Sequence, residues 1–169
     1  MPRRGKSKRP ETVHALLDAL EQAYRRRTWH GTNLRGSLHR LTCGQALWRP
    51  APGRHNIWEE AVHAAYWKYA VRNRLRGAKR GGFPLKGSNW FPSPQTAGPK
   101  EWKRALALLG EMHAALCDSV REFPPARLNR TLTGSKWTAF DSILGAAFHD
   151  IYHAGQIQLL KRLQKSAGR

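Results

Sequence analysis

A chain of 169 residues, 40% hydrophobic and with seven tryptophans, is long enough for one domain with a real core, which excludes disorder over its bulk. Thirty Lys and Arg against eleven Asp and Glu leave a net charge of +19, which raises the question of a polyanionic partner. Two cysteines, Cys43 and Cys117, are too few for a disulfide framework or a cysteine-rich zinc module, and no apolar run of about 18 residues exists to form a membrane span, so a cytoplasmic protein is expected.

Residues 1–10 are basic and lack the apolar stretch of a signal peptide; they read as a flexible arm ahead of one domain over residues 11–169. The first predicted helix runs from about Glu11 to Arg27, with Val13, Leu16, Leu17, Leu20 and Tyr24 on one face. Thr28-Trp29-His30-Gly31 interrupts it, and Leu34, Leu38 and Leu41 suggest a short helix beyond. The loop Arg49–Asn56 leads to a capping box, Asn56 with Glu59, that opens a second helix to about Arg76. Gly77 and the Gly81-Gly82 pair end it. Residues 78–98, rich in Gly, Pro and Ser, form the longest loop, a length associated with function or disorder. Pro99 and Glu101 begin a third helix striped by Trp102, Leu106, Leu109, His113, Leu116 and Val120, which Pro124-Pro125 stops. The fourth starts at Thr138, with Asp141 as capping partner, and runs to about Gln164, with Phe140, Leu144, Ala147, Ile151 and Leu159 as its core face. No strand pattern is present, so the expected architecture is all-α, a four-helix bundle.

Part of the charge has a structural explanation. Arg25–Arg27, Arg72–Arg76 and Lys161–Lys165 sit at helix C-termini, while Glu11, Glu59, Glu60, Glu101 and Asp141 sit at helix starts, which complements the helix dipoles. The excess also suits a phosphate-binding face formed by the arm and Arg72–Arg80. No helix-turn-helix, zinc-finger or RNA-binding sheet signature accompanies it, so nucleic acid is a possible partner and not the favoured one.

The histidines carry more information. His149 and His153 are four residues apart, one helical turn, so both imidazoles can reach one metal ion. A surface helix can hold such a pair by chance. Here the pair sits in the most apolar helix, and buried imidazoles need polar partners. Gly145, one turn earlier, leaves room for a ligand. His63 on the second helix, flanked by small residues, supplies a third ligand, with Glu59 expected to accept its free N–H. Tyr152 and Gln156 share the face of the pair and are candidates to orient a bound group. His30 could reach the bundle mouth, and His113 reads as a core histidine. The segment His149-Asp-Ile-Tyr-His153 is close to the zinc-protease pattern, but Asp replaces Glu and the usual downstream ligand is missing.

Trp29-His30-Gly31, the run from Arg49 to Glu59, His63, and above all His149-Asp-Ile-Tyr-His-Ala-Gly-Gln-Ile157 resemble the DinB family, the DinB/YfiT-like group, over about residues 11–164. The resemblance implies a four-helix bundle with up-down-down-up connectivity, often dimeric. It implies a divalent metal, zinc or nickel, on three histidines that fall on His63, His149 and His153. Characterised relatives include metal-dependent transferases of low-molecular-weight thiols such as bacillithiol or mycothiol, and mycothiol-dependent maleylpyruvate isomerase. The expected function is therefore transfer of a small thiol, activated as a thiolate, to an electrophilic small-molecule substrate. The alternatives are a hydrolase using bound hydroxide, or a basic nucleic-acid-binding protein with a structural metal. An acidic thiol cofactor would suit the basic surface.

Overall fold

A computed structural model describes residues 10–78 and 82–168. Residues 1–9 of the expected arm over residues 1–10, and the basic stretch at 79–81, lie outside the described residues. The elements are α1 (Glu11–Tyr24), α2 (Leu34–Ser37), α3 (Cys43–Leu47), α4 (Ile57–Leu75), α5 (Pro99–Glu122), a 3-10 turn (Pro125–Arg127) and α6 (Ala139–Ala167). No strand occurs among the described residues; Thr131 and Thr138 form one isolated bridge. No described helix is long and apolar enough to cross a membrane.

Local chemistry sets the helix limits. The Asn56 side chain accepts from the Glu59 N–H at 2.9 Å while the Glu59 carboxylate accepts from the Asn56 N–H, which closes the expected box at the start of α4. Gly77, at φ +63°, takes the left-handed conformation that ends α4. Thr138 caps α6 through the Asp141 N–H at 3.0 Å. α1 stops three residues before the expected Arg27. Arg25 leaves helical geometry at φ −146°, and the Arg25 and Arg26 side chains turn back onto Glu21 and Asp18. The short helix predicted around Leu34–Leu41 ends at Ser37; Arg40 turns at φ +58°, and Thr42 then caps α3, a helix the sequence pattern did not suggest.

Side-chain pairings give the directions of the four long helices. Tyr24 reaches Gly110 and Glu21 reaches Cys117, so α1 and α5 are antiparallel. Trp58 meets Trp102 and Lys68 meets His113, so α4 and α5 are parallel. Lys68 meets Asp150 while His63 meets His153, so α4 and α6 are antiparallel. The result is an up-down-down-up bundle, and its parallel α4–α5 pair requires the long crossover at 76–98.

The core has two parts. One gathers Val13, Leu16, Leu20, Leu116, Val120 and Ile143. The other gathers Leu34, Trp58, Val62, Trp102, Leu109 and Ile157. The expected core face of α6 is rotated. Ala147 is buried, but Phe140, Leu144 and Ile151 are half-buried and Leu159 is 44% exposed. The buried line is Ile143, Ala146, Ala147, Asp150, His153, Ala154, Ile157 and Leu160. α6 packs against both α1 and α4, and small alanines at those contacts let the helices approach closely.

Candidate metal centre

His63 lies on α4 among Ala61, Ala64 and Ala65, all fully buried, so α6 comes close enough for His149 and His153 to meet it. His63 Nε2 is 3.1 Å from His149 Nε2, and His149 Nε2 is 3.0 Å from His153 Nε2. The other ring nitrogens settle the tautomers. His63 Nδ1–H donates to the Asn89 carbonyl at 2.9 Å, and His153 Nδ1–H donates to the Glu60 carboxylate. The Nε2 atoms of His63 and His153 are therefore both lone pairs, and both face His149 Nε2. One proton on His149 satisfies only one of them. A divalent cation satisfies all three, and with metal–nitrogen bonds of about 2.0–2.1 Å two ligands of one ion sit roughly 3 Å apart. The residues fit such an ion.

Burial pushes the His149 imidazole down to about 3, with His153 and His63 adding to the shift. Burial likewise lowers His63 to about 4, against the opposing pull of the Asn89 carbonyl. Both rings are thus neutral near pH 7, the state in which imidazole ligates.

The support for His63 differs from the one expected. Glu59 does not accept from His63. Its carboxylate receives Arg49 at 2.6 and 2.9 Å, His55 at 3.0 Å and the Ser93 N–H at 3.1 Å. Burial alone would raise its pKa, but these donors outweigh burial and hold it at about 2. Glu59 thereby clamps the 49–56 loop and the 78–98 loop to the start of α4. The second of these loops delivers Asn89 and Trp90. Asn89 adopts φ +64°, a conformation Asn tolerates, and this aims its carbonyl at His63 while its side chain accepts from Trp67 Nε1 at 3.0 Å. The Trp90 ring stacks on both His63 and His55, with centroids 3.8 and 3.7 Å away. Glu60, Asn89 and Trp90 are the residues that sequence reasoning missed. Glu60 stands three residues before His63, a spacing that could have flagged it, whereas the two loop residues carry no local signal.

Two cavities with no lining residue in common flank the triad. A groove of about 330 Å³ has His149, Gly145 and Trp67 in its wall. A cavity of about 450 Å³ has His153, Tyr152 and Gln156 in its wall, with Arg54, His55 and Trp90. Tyr152 and Gln156 thus stand beside the triad, as their spacing implied. A Cβ built on Gly145 meets no atom within 4 Å, which agrees with the room expected there. His30 is exposed after α1 with its ring against Trp29, and the structure does not bring it to the triad.

A second group of donor atoms, Glu21, His113 and Cys117, is buried nearby in the core. Its hydrogen bonds argue against a metal. Lys68 Nζ donates to His113 Nδ1 at 3.4 Å, so Nε2 keeps its proton and faces Glu21 at 3.4 Å. Arg25 already donates twice to Glu21, at 2.6 and 3.0 Å. His113 is the core histidine expected, stacked on Tyr24. Burial raises the Cys117 thiol to about 11, which leaves it protonated and inert. Lys68 also pairs with Asp150, and both are almost wholly buried.

No curated protein and no solved structure matches the chain significantly. A family model does match, over residues 26–157, a span holding all three histidines, both loops and most of the helical frame. The match covers well over half of the chain, and the chain belongs to the DinB superfamily.

Proposed function

We propose that the chain is a metal-dependent transferase that joins a low-molecular-weight thiol to a small electrophilic substrate at His63, His149 and His153. The observation that carries this reading is the pair of separate cavities, one walled by His149 and the other by His153. Hydrolysis needs one organic substrate and water, whereas thiol transfer needs two organic partners meeting at one point. A divalent ion such as zinc or nickel, when held by three neutral imidazoles, supplies Lewis acidity and favours the thiolate form of a bound thiol.

The chain's own residues do the rest. Glu60 and the Asn89 carbonyl hold two rings in the tautomer that leaves Nε2 free. Trp90 covers His63 and restricts water there. Arg54, His55 and Gln156 give the second cavity the donors an acidic thiol would meet, and Tyr152 stands in the same wall. Cys43 is buried with its thiol against the Ala97 carbonyl, and Cys117 is protonated in the core, so the sulfur nucleophile comes from outside the chain. In the transfer, the thiol proton leaves to solvent, sulfur forms a bond to carbon, and the leaving group departs with the displaced electron pair.

The test incubates metal-loaded protein with bacillithiol, mycothiol, glutathione or cysteine and an aryl halide acceptor, alongside a simple ester without thiol. Saturable, thiol-dependent consumption of the acceptor that is absent in His149→Ala is the expected result. Ester cleavage that needs no thiol would favour the hydrolase.

A further inference from the structure

The groove beside His149 is lined by aromatic side chains and one arginine. It runs between α4 and α6, with Trp67, Val71 and Arg74 on one wall and Leu144, Gly145 and Phe148 on the other. At about 330 Å³ it is near the lower end of small-molecule sites. Phe148 and Trp137, both in its lining, are 64% and 66% exposed, which leaves large aromatic faces uncovered. The Arg74 guanidinium lies over the Trp67 ring, 5.9 Å from its centroid, and among the described residues no carboxylate pairs with it. The Trp67 ring is in turn 6.1 Å from the His149 ring. A cation therefore stands one indole away from the triad. The acid in the lining, Asp141, is engaged by the Thr138 hydroxyl at 2.6 Å at the start of α6. Ser142, in the same wall, keeps a buried hydroxyl with no hydrogen-bond partner. Gly145 contributes no side chain, and the space its Cβ would occupy is open.

We propose that this groove binds a planar aromatic carboxylate, with its ring against Trp67 and Phe148 and its carboxylate on Arg74. Aromatic faces favour a flat apolar body. An unpaired guanidinium selects a carboxylate at one end of that body, through charge-assisted hydrogen bonds. The assignment rests on the transferase reading only in making this ligand the acceptor substrate; the binding itself is measured independently of turnover.

The experiment titrates the full chain, zinc-loaded and metal-free, with 2-naphthoate and its neutral analogue 2-naphthamide by calorimetry. Gly145→Leu fills the groove. Gly155→Leu is its control on the same helix, at an exposed position where a Cβ also meets nothing within 4 Å. Naphthoate is expected to bind the wild type with or without zinc. Gly145→Leu should weaken it at least about tenfold and Gly155→Leu should not, and Arg74→Gln should abolish the preference for the acid over the amide. Equal binding to both glycine variants, equal binding of acid and amide, or no binding to wild type would overturn the proposal. Binding that requires zinc would place the carboxylate on the ion and overturn it too. Sedimentation of the same samples covers a remaining case: a wild-type dimer that Gly145→Leu dissociates, with no naphthoate bound, would assign the groove to a second copy of the chain. Zinc content, assayed in parallel, separates failure of the metal reading from failure of the groove.

Discussion

Glu59 and Glu60 are neighbours on α4, and one helical step decides their roles. Glu60 faces α6 and receives His153, while Glu59 faces the loops and receives Arg49 and Ser93. Glu60→Gln is expected to weaken zinc binding roughly tenfold with helicity unchanged, measured by competition with a chromophoric chelator, because the partner of a ligating histidine sets its orientation and basicity. Unaltered affinity would mean that Glu60 only packs. Glu59 makes a different prediction. Its folded pKa of about 2 lies below the ordinary carboxylate value, so the unfolded chain binds the extra proton as pH falls. The stability it contributes is fully present above about pH 4.5 and is lost as pH drops toward 2. Melting curves of metal-free protein over that window should fall steeply in wild type and less steeply in Glu59→Gln. The spacing of His149 and His153 made the pair legible in the sequence, the small residues around His63 marked it as the third candidate, and the family pattern fell on the same three positions. The partners of Glu59 were not legible, because Arg49 and Ser93 reach it from loops that only the folded chain brings together.

Between α4 and α6, the Lys68–Asp150 pair sits next to the triad with both side chains almost wholly buried. Lys68 has a further neighbour in His113 at 3.4 Å, whereas Asp150 keeps one buried oxygen without a partner. Burying two charges is costly, and removing one partner leaves the other uncompensated. Lys68→Met is therefore expected to destabilise metal-free protein by about 3–5 kcal/mol in urea unfolding, and the double change with Asp150→Leu to recover most of that loss. If the double variant is no more stable than the single one, the pair is not the dominant interaction there. Helix existence and capping were readable from sequence, since Asn56, Gly77 and Thr138 act through bonds a few residues long. The buried face of α6 was not. Phe140, Leu144 and Ile151 are only half-buried and Leu159 is exposed, so hydrophobic periodicity alone pointed to a face one step away from the alanines that make the contacts.

At the scale of the molecule, the parallel α4–α5 pair forces a long crossover, and that crossover carries Asn89 and Trp90 to His63. Topology and site are thus one problem. The sequence pattern showed four helices and a loop of unusual length, while the use of that loop emerged only once α4 and α5 ran side by side. The charge excess is also sharper at the surface than in the composition, because Glu21, Glu59, Glu60 and Asp150 are all buried in pairs. An ion shared by α4 and α6 would couple binding to folding: zinc at about 100 times its Kd should stabilise the chain by roughly 2.7 kcal/mol, read as a rise in Tm that a chelator reverses. The proposed transfer depends on a divalent ion held by His63, His149 and His153. Elemental mass spectrometry of purified wild type and His149→Ala tests it most directly. About one zinc or nickel ion per chain is expected in the wild type, with its loss in the variant. A wild type that takes up neither metal after incubation with both, or a variant that retains the full complement, would contradict it.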